Sequence, residues 1–332
     1  MTRPIDDLLA GLPDGPGDVP PTSARFSVVV RTQGRRPNSL AETIQCLADQ
    51  TYDDFEVIVA VHSPDPTTMD QVRSGLSVGS APDEIQFIQV TSGGRSRPLN
   101  RSLDAATGDY LCILDDDDLA SADWLEQFAK GAARSPGSVL RAVSKSQHWA
   151  TDGGNEPLRP TGERFQEFAT TFDLLAHFSH NETPPCSMAL PVALMRAAGI
   201  SFDEELAVYE DWDILMRTAL LAGVEAVDAD TSTYRRLDSG SSFSVESEAI
   251  WHATHARVLD KLSSGFIVLP PGDARRLASA HFEPGSGSRH DRELTEAKAE
   301  LDALTRSPRR WMAAFGARLA RAVNARVRPR QQ

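Results

Sequence analysis

The sequence predicts an α/β fold: a mostly parallel sheet flanked by helices, carrying a helical extension at its C-terminal end. Three observations predict it. Short β-branched runs alternate with segments of helical period, each apolar run ends in a polar or acidic loop, and the alternation loosens only beyond Trp124. The first run, 26–30 (Phe-Ser-Val-Val-Val), reads as a strand closing on a polar loop at 31–37. Residues 39–50 follow as a helix, with Leu40, Ile44 and Leu47 on one face and Asn38 or Ser39 as cap. A buried strand is expected at 55–61, a helix at 67–78 and a third strand at 85–90. Residues 96–106 place Leu99, Leu103 and Ala106 on one helical face, with Gly108 as the stop, and a fourth strand at 110–114 runs into four aspartates. Strands joined through single helices need crossover connections, which make neighbours parallel. Ligands of such sheets bind beyond the carboxyl ends of the strands, so the loops after Val30, Val61 and Leu114 are where chemistry is expected. Further on, 139–144 reads as a strand, 151–161 as a Gly/Pro-rich loop over a cleft, and 210–222 as an apolar helix closed by Gly223.

Composition bounds the rest. The chain has 332 residues, 40% hydrophobic and 24% charged, enough for a substantial core. There is no apolar run long enough to span a bilayer and no signal-peptide pattern, and Cys46, Cys112 and Cys186 lack metal or redox spacing. Cys112, inside an apolar run, is expected to be a reduced core thiol, and a cytoplasmic location follows. A net charge of −13 argues against a nucleic-acid partner. That charge is uneven: 306–332 holds eight arginines and no acid, which leaves −21 on residues 1–305. Residues 1–24, rich in Pro, Gly and Asp, read as a disordered leader, 25–262 as the main domain and 263–332 as the extension.

The strongest feature is Asp115-Asp116-Asp117-Asp118 after a buried strand. Adjacent carboxylates repel, and a hard divalent cation such as Mn²⁺ or Mg²⁺, sharing its shell with substrate phosphates, offsets that repulsion. The bland alternative is a solvated turn in which Asp118 or Ser121 caps a helix at 122–133. Glu210-Asp211 likewise reads either as a site carboxylate pair or as acids favoured by a helix N-terminus. Asp213 reads as a first-turn acid only, and Trp212 as core or a wall beside that pair. His177/His180 and His252/His255 share i, i+3 spacing but lack a third ligand for zinc, and no GxSxG, P-loop or GxGxxG stands out.

Segment 108–119 (GDYLCILDDDDL) resembles the "GDY…LDxDD" stretch of family 2 glycosyltransferases. Residues 27–32 (SVVVRT), 40–51 (LAETIQCLADQT), 54–59 (DFEVIV) and 93–100 (GGRSRPLN) resemble the preceding elements of that family. Residues 202–206 (FDEEL) with 210–213 (EDWD) resemble its acceptor-side signature. The resemblance spans roughly 26–245 and implies a GT-A, Rossmann-like fold and an inverting, metal-dependent transfer from a nucleotide-sugar donor to a hydroxyl acceptor. It implies Asp115 at the donor ribose, Asp117 with Asp115 at the metal, and Asp211, supported by Glu210, as general base. Arg31, Thr32, His62, Arg95, Arg97 and Asp116 complete the candidate donor site, Arg95 and Arg97 as diphosphate partners.

The chain also departs from the family. Arg31 stands where many members have Pro, and Val61-His62-Ser63 replaces an acidic pair that normally meets the base, leaving His62 as its substitute or a solvent-facing ring. Leu237 replaces a frequent His in 234–242 (YRRLDSGSS), so any metal shell using that His is completed otherwise. A nucleotidyltransferase is the rival enzyme, disfavoured because 31–37 makes a poor phosphate loop, and a binding-only relative is the rival without turnover. In 307–327, Trp311, Phe315 and Leu319 share a helical face ringed by arginines. Such a helix suits peripheral contact with an anionic membrane, the acidic body, or a second subunit of a homo-oligomer.

Overall fold

The computed structural model describes residues 23–76, 85–150, 158–238 and 246–264. The leader, apart from its last two residues, and the extension beyond Ser264, with the expected basic helix at 307–327, lie outside the described residues.

The N-terminal half follows the predicted alternation. Strand β1 (Phe26–Thr32) is followed by α1 (Pro37–Ala48), β2 (Phe55–His62), α2 (Thr67–Leu76), β3 (Ile85–Val90), α3 (Ser96–Ala105) and β4 (Tyr110–Ile113). These four strands pair in parallel in the order β3-β2-β1-β4. In β1, β2 and β4 the core residues are fully buried because both faces are covered, Val28, Val57 and Cys112 packing with α1 and Val29, Ile58 and Ile113 with α3, while Ile85 and Ile88 of β3 are half-buried. Cys112 is thus the expected core thiol, with burial pushing it well above the ordinary thiol pKa.

The second half is mixed, which the sequence did not predict. After β5 (Leu119–Ala120) and α4 (Trp124–Arg134) come the long β6 (Val139–Ala150) and the two-residue β7 (Arg159–Pro160). Then follow α5 (Leu174–His177), a 3₁₀ turn (Pro185–Ser187), β8 (Met188–Pro191), α6 (Val192–Ala197), α7 (Glu210–Ala222), β9 (Val224–Leu237) and α8 (Glu248–Ser263). The sheet continues β4-β8-β6-β9-β5, with β8 antiparallel to both β4 and β6, β6 parallel to β9, and β5 antiparallel to β9. Trp124, fully buried, locks α4 onto this half by donating from Nε1 to the Cys186 carbonyl at 2.9 Å.

Two glycines shape the site's framework. Gly223, at φ 69°, closes α7 as expected. Gly108 does not stop a helix, since α3 ends three residues earlier. It instead admits the start of β1, for a Cβ there would lie 2.7 Å from the Ser27 nitrogen and 2.8 Å from the Arg25 oxygen.

Candidate active site

The β1–β4 register builds the centre of the site. Val29 pairs with Ile113, and the same offset carried two residues on sets Arg31 beside Asp115 and Thr32 beside Asp116. The Arg31 guanidinium makes a bidentate pair with Asp115, Nε to Oδ1 at 3.0 Å and Nη2 to Oδ2 at 2.7 Å. Its Nη1 reaches Glu210 Oε1 at 2.8 Å and the Arg95 carbonyl at 3.1 Å. Thr32 donates to Asp116 Oδ2 at 2.5 Å. Arg36, which the sequence did not single out, bridges Asp116 at 3.4 Å and Asp117 at 2.6 Å.

Asp116, Asp117 and Asp118 are held against their preference. Burial, then the neighbouring Asp117, pushes Asp116 up to about 7, and burial raises Asp117 despite Arg36. Asp118 is raised well above the carboxylate range by burial and by Asp117 and Asp115. It caps no helix: α4 starts at Trp124 after Asp123, and the Asp118 carboxyl accepts from the Arg235 amide at 2.9 Å, fastening β9 to the acidic loop. Arg235 itself is buried, pairs with Glu42 at 2.5 Å and lies 4.0 Å over the Trp149 ring.

The second carboxylate pair opens α7. Tyr209, before it, is the one non-glycine residue with positive φ among the described residues, at 62°, a conformation costing on the order of 1–3 kcal/mol. Its ring packs edge-on against Trp212 at 5.3 Å and Trp251 of α8 at 4.9 Å, contacts that hold the turn. The turn sends Glu210 inward to Arg95 at 2.6 Å and Arg31, and these cations outweigh burial to hold its carboxyl below the ordinary value. At Asp211 the same two cations do not offset burial. Burial, then the Glu210 charge, pushes it up to about 7, and its Oδ2 accepts from Asn181 at 2.9 Å. Trp212 is core, donating to the His177 carbonyl at 2.8 Å. Asp213 is more than a first-turn acid: fully buried, it pairs with Arg217 at 2.5 Å and with Lys261 of α8 at 2.6 Å.

Arg31, Asp115, Glu210 and Arg95 therefore form one bonded set, and Thr32, Asp116, Arg36 and Asp117 form a second, adjacent along the chain at Arg31-Thr32 and Asp115-Asp116, with Asp211 next to Glu210. Arg97 pairs instead with Glu204 at 2.8 Å and is 45% exposed. His62 ends β2 half-buried, and burial, reinforced by the Arg31 charge, lowers its pKa. His177 is a satisfied core histidine, bonded to Thr183 Oγ1 at 2.8 Å. Arg36 and Asn181 were missed because neither sits in a motif. The signal for Arg36 was its place in the loop after β1, one of the loops expected to carry chemistry.

Among the described residues no three His, Cys, Asp or Glu side chains converge to hold a metal ion by themselves. The donor set of the acidic loop nonetheless suits a hard divalent cation, because the half-buried carboxylates of Asp115, Asp116 and Asp117 crowd one loop and already draw Arg31 and Arg36 as counter-charges. Remaining ligands would come from water or substrate phosphate, as is usual for Mg²⁺.

Residues 27–189 match the model of Glycosyl transferase family 2. Over 205 residues the chain is 31% identical to the amylovoran biosynthesis glycosyltransferase AmsB of Erwinia amylovora, covering 58% of this chain and 63% of that protein. It is 26% identical over 216 residues to the poly(ribitol-phosphate) β-N-acetylglucosaminyltransferase TarS of Staphylococcus aureus, covering 63% of this chain and 35% of TarS. The chain thus spans less than two thirds of the length of these relatives. The crystal structure of TarS residues 1–349 in complex with UDP-GlcNAc superposes with a TM-score of 0.50 at 23% identity, over 71% of this chain and 65% of that one. That likeness shows the fold, a GT-A arrangement of a mixed sheet with flanking helices. No helix among the described residues is long and apolar enough to cross a membrane.

Proposed function

We propose that the chain, whose residues 27–189 match the model of Glycosyl transferase family 2, is an inverting glycosyltransferase taking a sugar from a nucleotide-diphosphate sugar to a hydroxyl acceptor. One observation supports this: at the carboxyl ends of β1 and β4, Arg31 joins Asp115, the donor-side acid of this reading, to Glu210, the residue before Asp211. Asp211 is the general base. The acceptor oxygen attacks the anomeric carbon, its proton passes to the Asp211 carboxylate, and the bond to the diphosphate breaks with the electron pair leaving on the nucleotide. A base with pKa near 7 is well matched to this task at neutral pH, and such a base contributes on the order of 10²–10⁴-fold.

Asp115 meets the donor ribose. Asp117 with Asp115 would hold a Mn²⁺ or Mg²⁺ ion that, when bound, stabilises charge on the leaving diphosphate. Arg36, now paired with Asp117, and Arg95 are the cations placed to accompany the phosphates. The first donor to try is UDP-GlcNAc, since TarS has been crystallised with it.

The test is a thermal-shift panel of nucleoside diphosphates and sugar nucleotides, with and without Mn²⁺, on the wild type and Asp117→Ala. A metal-dependent shift for one nucleotide, abolished by the substitution, is expected. No shift for any nucleotide, with or without Mn²⁺, would sink the donor-site assignment.

A further inference from the structure

The segment between α5 and the 3₁₀ turn, residues 178–184, has no regular secondary structure, yet it is fastened at several points. The His177 ring bonds the Asp173 carbonyl and Thr183 Oγ1, both at 2.8 Å. Trp212 donates to the His177 carbonyl, His255 of α8 bonds the Ser179 carbonyl at 2.8 Å, and the buried Arg141 donates to the Glu182 carbonyl at 2.9 Å. Glu182 in turn accepts from the Ala169 amide at 2.7 Å. A loop tied to α5, α7, α8 and β6 in this way is a rigid mount rather than a surface connection.

What the mount presents is Asn181. Its Oδ1 accepts from the Thr183 amide at 3.0 Å, which sets the orientation of the side-chain amide and turns the NH₂ end outward. That end donates to Asp211 Oδ2 at 2.9 Å. An amide nitrogen can only donate, so it engages a carboxylate lone pair, and a bond to an ionised acceptor is about twice as strong as a neutral one.

We infer that Asn181 is a positioning residue for the general base: it commits Oδ2 and fixes the plane of the Asp211 carboxyl, so that Oδ1 takes the acceptor proton. This rests on Asp211 being the base. The bond also opposes the forces that keep Asp211 protonated. Those come from burial and the adjacent Glu210, and Arg95, the Trp212 amide and Arg31 act against them. The phenols of Tyr209 and Tyr234 also feel the Asp211 charge. Losing the Asn181 donor therefore makes the base harder to ionise and leaves its carboxyl free to rotate.

The experiment uses the full chain with ¹³C-labelled aspartate. The Asp211 carboxyl resonance is identified by its absence in Asp211→Asn and titrated in the wild type, Asn181→Ala and Asn181→Asp. The second variant keeps the shape of the side chain and the oxygen that accepts from Thr183, so the loop retains its fastening while the donor is lost. The titration midpoint should rise by about 0.5–1 pH unit in Asn181→Ala and further in Asn181→Asp, where a like charge is added. An unchanged midpoint in both folded variants overturns the inference. In parallel, nucleoside diphosphate release is followed with the sugar nucleotide that most stabilises the wild type. Asn181→Ala should lower kcat roughly tenfold with the donor KM within about twofold. If Asp211→Asn turns over like the wild type, the assignment of the base is wrong, while the carboxyl titration still decides the Asn181 contact. If Asp211→Asn is inactive and both Asn181 variants keep the wild-type kcat, Asn181 does not position the base.

Discussion

Arg31 holds Glu210 at 2.8 Å across 179 residues of sequence, and through its bidentate contact with Asp115 it ties the first turn of α7 to the loop after β4. The guanidinium is only 11% exposed and Glu210 3%, so removing the cation strands carboxylates away from water. Breaking such a pair by truncating one partner costs about 3–5 kcal/mol. The lower end is expected for Arg31→Ala, since Arg95 still reaches Glu210. Urea unfolding measures it, and a loss under about 1 kcal/mol would mean the two halves of the site are held together elsewhere.

Asp211, raised to about 7 by burial and Glu210, makes a double prediction. As a base it must be ionised, so kcat/KM should rise with pH and level off above about 7, and Asp211→Asn should lose about 10²–10⁴-fold with the limb abolished. For stability the sign is opposite. A carboxyl whose folded pKa exceeds its unfolded value of about 3.9 contributes stability below that value, and the contribution is lost as pH rises through the folded pKa. Thermal melts should therefore show Tm falling from pH 5 to 8, less steeply in Asp211→Asn. A slope identical in the two proteins would contradict the raised pKa of the Asp211 carboxyl. Asp116, also about 7, keeps part of the slope in either protein.

The acidic loop predicts a metal requirement. Chelation with EDTA should remove turnover and readdition of Mn²⁺ or Mg²⁺ restore it, while Asp117→Asn should weaken Mn²⁺ binding in the presence of nucleotide at least tenfold. Electron paramagnetic resonance of free Mn²⁺ reads this directly. Full activity in EDTA would assign neutralisation of the diphosphate to Arg36 and its neighbours instead.

Two glycines give a paired test of the framework. A methyl group on Gly108 would press on the backbone of Arg25, Phe26 and Ser27, none of which can swing aside, so Gly108→Ala should destabilise by about 1–3 kcal/mol. Gly75, near the end of α2, has no atom within 4 Å of the added carbon, and Gly75→Ala should be neutral or stabilise by up to about 1 kcal/mol. Urea midpoints separate the two, and equal effects would show that the approach of β1 to Gly108 is looser than it stands.

The strand–helix alternation, the carboxyl-end loops and the two acidic motifs are legible in the residues alone, because hydrophobic period and turn chemistry are local properties of the chain. Val28 to Val30, Val57 to Val61 and Leu111 to Leu114 are buried because their side chains leave no alternative. The antiparallel entry of β8 was not legible, since four apolar residues ending in Pro191 carry no sign of direction or neighbour. Nor were the partners of the acids. Arg36 against Asp117, Asn181 against Asp211 and Arg235 against Asp118 join segments 30 to 117 residues apart. Such contacts follow from strand order, register and the strained turn at Tyr209. Only the assembled sheet sets these, because a side chain's charge is written in the sequence while the distance to its counter-charge is a property of the packed whole.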